Sequence, residues 1–110
     1  MVIMARQKPF ALVYGPEVRD HLRAIDAKHY SLIRAAIEDQ LQHEPGVETR
    51  NRKPLRQPAA FEAEWEIRFG PDNRFRVLYD IDAEGREVNI LAIGEKEGNR
   101  LRIGGEEIEL

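Results

Sequence analysis

The chain predicts an α+β domain in which an N-terminal strand and a helical hairpin pack on one face of a small antiparallel sheet. Three observations carry that reading: a run of β-formers at residues 8–14, apolar residues at helical spacing through 17–43, and period-two alternation in three successive runs from residue 64. With 110 residues, 42% of them hydrophobic, the chain suffices for one domain with one core and is too short for two.

The elements follow in order. "KPFALVY" (8–14) reads as a strand that Gly15 and Pro16 end. Pro16 suits a first helical turn, and Val18, Leu22 and Ile25 then form one apolar stripe, giving a helix over 17–29. Ser31 is placed to cap a second helix over 32–43, whose stripe is Leu32, Ile33, Ala36, Ile37 and Leu41, until "EPG" (44–46) stops it. Residues 44–63, with Pro45, Gly46, Pro54 and Pro58, read as a long exposed connection of the kind that is functional or mobile. Next, Trp65, Ile67 and Phe69 oppose Glu66 and Arg68, and after a turn at "GPDN" (70–73), Phe75, Val77, Tyr79 and Ile81 oppose Arg74, Arg76, Leu78 and Asp80. "EVNILAIG" (87–94) is apolar on both faces, Val88, Ile90 and Ala92 against Leu91 and Ile93, as a central strand is. "NRLRIGGEEIEL" (99–110) suggests a terminal hairpin turning at Gly104-Gly105, or a tail that contacts a partner.

Composition removes several function classes. Without cysteine there is no disulfide, thiolate nucleophile or sulfur zinc site, which suits a reducing, cytoplasmic setting. The apolar runs fall far short of the ~20 residues that span a bilayer, and "MVIMARQKPFALVYG" lacks a signal-peptide pattern, so the chain reads as intact, soluble and without a membrane partner. His21, His29 and His43 lie on or near the helices and read as surface residues, with no metal site and no cofactor expected. Trp65 and Tyr79 alternate with core residues and read as core anchors.

Charge is unevenly spread. The net value is −3, yet residues 50–76 carry seven positive and four negative side chains, and residues 77–110 carry four and nine. If the helices cover the Trp65/Phe75/Val77/Tyr79 face, alternation puts Arg68 and Arg76 together on the other, where two guanidinium groups on strands about 4.8 Å apart reach one phosphate. Arg50, Arg52, Lys53 and Arg56, with Arg74 at the turn, would extend this patch along a nucleic-acid backbone. The competing reading makes Arg68 and Arg76 cross-strand ion-pair partners of Glu66 and Asp80.

"KPL" (53–55), "WEIRFG" (65–70), "FRVLYDID" (75–82) and "VNILAIGEKEG" (88–98), in this order after a helical hairpin, resemble the RelE/ParE toxins of bacterial type II toxin–antitoxin systems. The resemblance runs from residue 8 to about residue 98. It implies a curved sheet, a cognate antitoxin that wraps the toxin, and, in the RelE branch, a metal-independent mRNA endonuclease (mRNA interferase) that acts on the ribosome and inhibits translation. There the 2′-hydroxyl attacks the scissile phosphate while basic residues hold the backbone. Position by position, the resemblance makes Arg76 the phosphate-stabilising arginine, Arg68 the basic residue of the preceding strand and Lys96 the basic residue beyond the glycine ending the last core strand. A C-terminal tyrosine that often completes such sites has no counterpart in 98–110, leaving Lys96, Glu95 or Glu97 for proton transfer. That gap keeps two other readings open: a ParE-like toxin that binds DNA gyrase, and a decayed module that only binds its antitoxin. The second apolar face of 88–93 needs a cover, whether the C-terminal hairpin, an antitoxin segment or a second copy in a homodimer.

Overall fold

The computed structural model describes residues 8–110; the start "MVIMARQ", read above as an intact N-terminus, lies outside the described residues. Strand β1 (Ala11–Tyr14) leads into helix α1 (Val18–Arg23), a 3-10 turn at Ala27–His29 and helix α2 (Tyr30–Leu41). Strands β2 (Arg52–Pro54), β3 (Trp65–Phe69), β4 (Phe75–Asp82), β5 (Glu87–Glu97), β6 (Arg100–Ile103) and β7 (Glu106–Ile108) follow, with sheet order β2-β3-β4-β5-β6-β7. β1 joins this antiparallel meander by pairing parallel with β5. The α+β arrangement expected from the sequence is therefore the one that forms. None of the described helices is long and apolar enough to cross a membrane.

The helices are shorter than their apolar stripes suggest. Asp26 is extended (ψ 131°) and its carboxylate accepts the Lys28 N–H at 3.0 Å, so the chain breaks there and restarts as a 3-10 turn. α2 already begins at Tyr30, so Ser31 lies inside the helix and is not its cap. Ile33, Ile37 and Leu41 nevertheless keep the expected spacing and pack on Ile67, Phe75, Val77, Tyr79, Val88 and Ile90. Trp65 stacks on Tyr79 at 6.3 Å, and the Tyr79 hydroxyl donates to the Pro45 carbonyl at 2.7 Å.

One edge of β5 is shared. β1 pairs with Glu87–Ile90 and β6 with Gly94–Glu97. Between them the β4 register slips, Leu78 facing Ala92 but Tyr79 facing Ile90, so Leu91 is an extra residue on β5. Val88 and Ile90 face the helices and Leu91 the other side, as the alternation expected, but past the bulge the phase inverts, so that Ala92 joins Leu91 and Ile93 faces the helices. Gly15 donates to the Ile90 carbonyl at 2.8 Å, and the Ile93 N–H finds Nδ1 of His21 at 3.3 Å. His21, read above as a surface residue, is thus buried, and its imidazole completes the backbone pairing where no strand reaches. Burial lowers its pKa below 6.5, against the opposing pull of Glu17 and Asp20.

The second face is covered by the chain itself. Ala63, Leu78, Ala92, Leu101 and Ile103 form a second apolar cluster, packed by Leu55, Ala60, Phe61, Leu91 and Ile108. The 44–63 connection is therefore only partly the exposed loop expected: its latter half folds across the sheet, because Leu55, Phe61 and Ala63 find apolar partners there. Phe61 and Glu62 adopt left-handed backbone (φ 59° and 57°), which costs about 1–2 kcal/mol per residue. Phe61 packs edge-on against the His21 ring at 5.3 Å, burial that offsets the strain. β6 and β7 complete the cover as a hairpin turning at Gly104-Gly105.

Candidate functional site

Antiparallel partners share a face, so the register builds the site directly. One row across the second face is Lys53, Glu66, Leu78 and Ala92; the next is Arg68, Arg76, Gly94 and Ile103. Arg68 and Arg76 thus stand opposite each other on β3 and β4, with Glu66 one row away. Nε of Arg68 donates to Oε1 of Glu66 at 2.8 Å, and Nη1 of Arg76 lies 3.7 Å from Oε2. Glu66 is completely buried, and its Oε2 has no hydrogen-bond partner among the described residues.

The face is less open than alternation alone implied. Arg76 is only 7% exposed and its Nε donates to the Asn73 carbonyl at 3.3 Å. Burial lowers its pKa, the neighbouring Arg68 charge adds to that, and Glu66 opposes both; an arginine so placed still stays protonated. Arg68 keeps a third of its side chain in contact with solvent. Gly94 faces Arg76, and a Cβ there would sit 2.7 Å from Ile103 and 2.8 Å from the Arg102 carbonyl, so only glycine lets β6 approach this closely.

The remaining cations divide into two groups. Lys96 lies on the same face two residues beyond Gly94, half-buried and without an ion-pair partner among the described residues; its N–H donates to the Arg74 carbonyl at 2.7 Å. Lys53 is exposed opposite Glu66, and Arg50 and Arg56 are exposed on either side of β2. Two arginines depart from the expected patch. Arg52 pairs with Ile67 and so faces the helices, where its Nη1 donates to the Gln40 carbonyl near the end of α2. Arg74 leaves the αR-shaped turn before β4 toward the helix side, binds the Glu95 carboxylate and lies over the Phe75 ring at 5.6 Å.

Those contacts also reassign the carboxylates. Glu95 is held by Arg74 and Glu97 by Arg102 at 3.0 Å, so neither faces the Arg68–Arg76 pair. Asp80, named above as an ion-pair partner, instead accepts from Asn89 at 2.8 Å. Glu66 is the acidic group at the centre. Its parity with Arg68 was readable, but its complete burial, opposite Leu78 of the second apolar cluster, is not revealed by any local pattern. None of the three tyrosines reaches this face: Tyr79 is in the core, Tyr30 donates to the Leu22 carbonyl, and Tyr14 lines a separate groove.

That groove, about 640 Å³, runs between β1 and α2 on the helix side, walled by Phe10, Leu12, Tyr14, Leu22, Tyr30 and Ile33. It is apolar and holds no part of the arginine cluster. Val13 and Tyr14 on β1 and Leu32 on α2 are large apolar side chains left exposed.

No protein-family model and no curated protein sequence matches the chain. Among solved structures, a chain of the toxin–antitoxin complex RelBE2 from Mycobacterium tuberculosis is similar at a TM-score of 0.62 and 26% identity, the match covering 80% of this chain and 99% of that one. The chain has the RelE-like toxin fold. Within that RelE-like frame, the meander presents Arg68, Arg76 and Lys96 on the face away from the helical hairpin.

Proposed function

We propose that the protein is the toxin of a type II toxin–antitoxin system and that it cleaves mRNA on the ribosome. The toxin role is supported by the likeness to a chain of a toxin–antitoxin complex. The single observation that carries the nuclease reading is the cross-strand pair Arg68–Arg76 with Lys96 on the same face and Lys53 exposed in the adjoining row. In the reaction, the ribose 2′-oxygen bonds to phosphorus as the bond to the 5′-oxygen breaks, and the 2′-hydroxyl gives its proton to solvent water while another proton reaches the leaving oxygen. Arg68 and Arg76 stabilise charge on the phosphoryl oxygens, and Lys96 stands beside them as the proton donor to the leaving group. The cognate antitoxin is the protein partner, and the apolar groove beside β1, with the exposed Tyr14 on its wall, is its docking surface on this reading.

The burial of Arg76 and the lack of a tyrosine on this face favour a second reading, in which the toxin binds DNA gyrase and cleaves nothing. Purified protein added to ribosomes programmed with a defined mRNA separates the two. Cleavage in the A-site codon supports the nuclease; intact message together with inhibited gyrase supercoiling supports the other.

A further inference from the structure

Two guanidinium groups directly opposed on neighbouring strands repel each other, and burial strengthens the repulsion. Glu66 is what makes the pair tenable. It approaches both arginines from the protein side: Oε1 takes Nε of Arg68 at 2.8 Å, while Oε2 stands 3.7 Å from Nη1 of Arg76, beyond hydrogen-bond length, and has no other partner among the described residues. Arg68 spends its inner nitrogen on Glu66 and Arg76 its Nε on Asn73, and neither terminal nitrogen of Arg68 has a hydrogen-bond partner among the described residues. The carboxylate itself is out of solvent reach, so it does not touch a bound RNA.

We propose that Glu66 is a positioning residue of the RNA-cleaving site: it grips Arg68 and Arg76 from inside the sheet so that their outer nitrogens face one phosphate. The slack contact between Oε2 and Arg76 gives that guanidinium room to move outward onto the phosphate while Arg68 stays fixed. This assignment rests on the nuclease reading above, deepening it by naming the group that orients its cations.

The test is Glu66→Gln, which keeps the side chain's size and an acceptor oxygen but removes the charge. On programmed ribosomes kcat falls about ten- to a hundredfold, because misoriented cations no longer match the transition state. KM stays level or drops, because the site has gained a net positive charge. An unchanged kcat at equal folded fraction overturns the proposal and leaves Glu66 as an ion pair that only stabilises the fold; a raised kcat overturns it too, marking Glu66 as a group that blocks the site. If Glu66→Gln melts below the assay temperature, Glu66→Asp takes its place, since withdrawing the carboxylate by one methylene loosens the same grip and predicts the same split. A second readout needs no cleavage: the Arg68 Nε–H resonance in 15N NMR spectra, with and without an uncleavable 2′-deoxy oligonucleotide. In the wild type it is protected from exchange and shifts on titration; in the variant the protection is lost and the shift reduced. Identical spectra in both overturn the proposal. Should wild type not cleave at all, the nuclease reading fails, while the NMR comparison still decides whether Glu66 orients the arginines toward a phosphate.

Discussion

Replacing Arg76 with alanine removes a cation whose side chain is 9% exposed from a carboxylate whose side chain is 0% exposed. For a surface ion pair the loss would be about 1 kcal/mol or less. Here Glu66 stays in the core with one partner instead of two. Breaking a buried pair costs about 3–5 kcal/mol. The Arg68 bond to Oε1 survives and the Arg76 contact is long at 3.7 Å, so the lower end of that range, about 3 kcal/mol, is the expected loss. In a domain of this size that is a fall of about 12 °C or more in Tm. Urea melts and thermal melts of wild type, Arg76→Ala, Glu66→Gln and the double variant form a cycle whose coupling isolates the pair. The double variant should recover part of the stability lost in Arg76→Ala, because the stranded charge is gone. Arg76→Lys should also lose less, keeping the charge without the fork. A loss below about 1 kcal/mol for Arg76→Ala, or no coupling in the cycle, would refute the buried clasp. Cleavage assayed below the variant's melting temperature should fall roughly tenfold to over a hundredfold, the equivalent of one charge-assisted hydrogen bond.

Three further outcomes follow from the same contacts. Arg52→Ala should lower stability by about 1–3 kcal/mol in urea melts, through the lost bond to Gln40, while leaving cleavage per folded molecule unchanged, because Arg52 faces the helices. Gly94→Ala should destabilise by about 1–3 kcal/mol and loosen β6, read as faster amide exchange at Leu101 and Ile103, because its Cβ would fall 2.7 Å from Ile103. His21 has a folded pKa below its ordinary 6.5, so the unfolded chain takes up the proton first; its contribution to stability is complete above about pH 6.5 and is lost as pH falls from there toward the folded value. Melts between pH 7.5 and 5 should show that loss, and His21→Asn, which keeps an acceptor near the Ile93 N–H, should flatten it.

Much of the fold was legible because alternation is a local signal. The faces of β3 and β4, the turn at 70–73 and the helical stripe through Ile33, Ile37 and Leu41 all come from spacing within single elements. What escaped depends on contacts between distant segments. The extra residue at Leu91 shifts the phase of β5 through its pairing with β4, and it falls in the gap between the β1 and β6 pairings on the other edge. Arg52 and Arg74 look like their neighbours in sequence, but one lies on a three-residue strand whose register turns it to the helices, and the other leaves a helical turn rather than a strand. Glu66 falls on the right face beside Arg68, yet its depth, opposite Leu78 in a cluster assembled from distant segments, has no local signal, and depth is what separates a solvated ion pair from a clasp.

The central claim, that the Arg68–Arg76–Lys96 face cleaves mRNA during translation, is tested most directly by mapping mRNA 5′ ends in cells after brief induction of the wild type and of Lys96→Ala. The account predicts new ends within translated messages, in register with the reading frame, and their loss in the Lys96 variant at equal protein level. Intact messages accompanied by DNA breaks, or the same in-frame ends from both proteins, would contradict it.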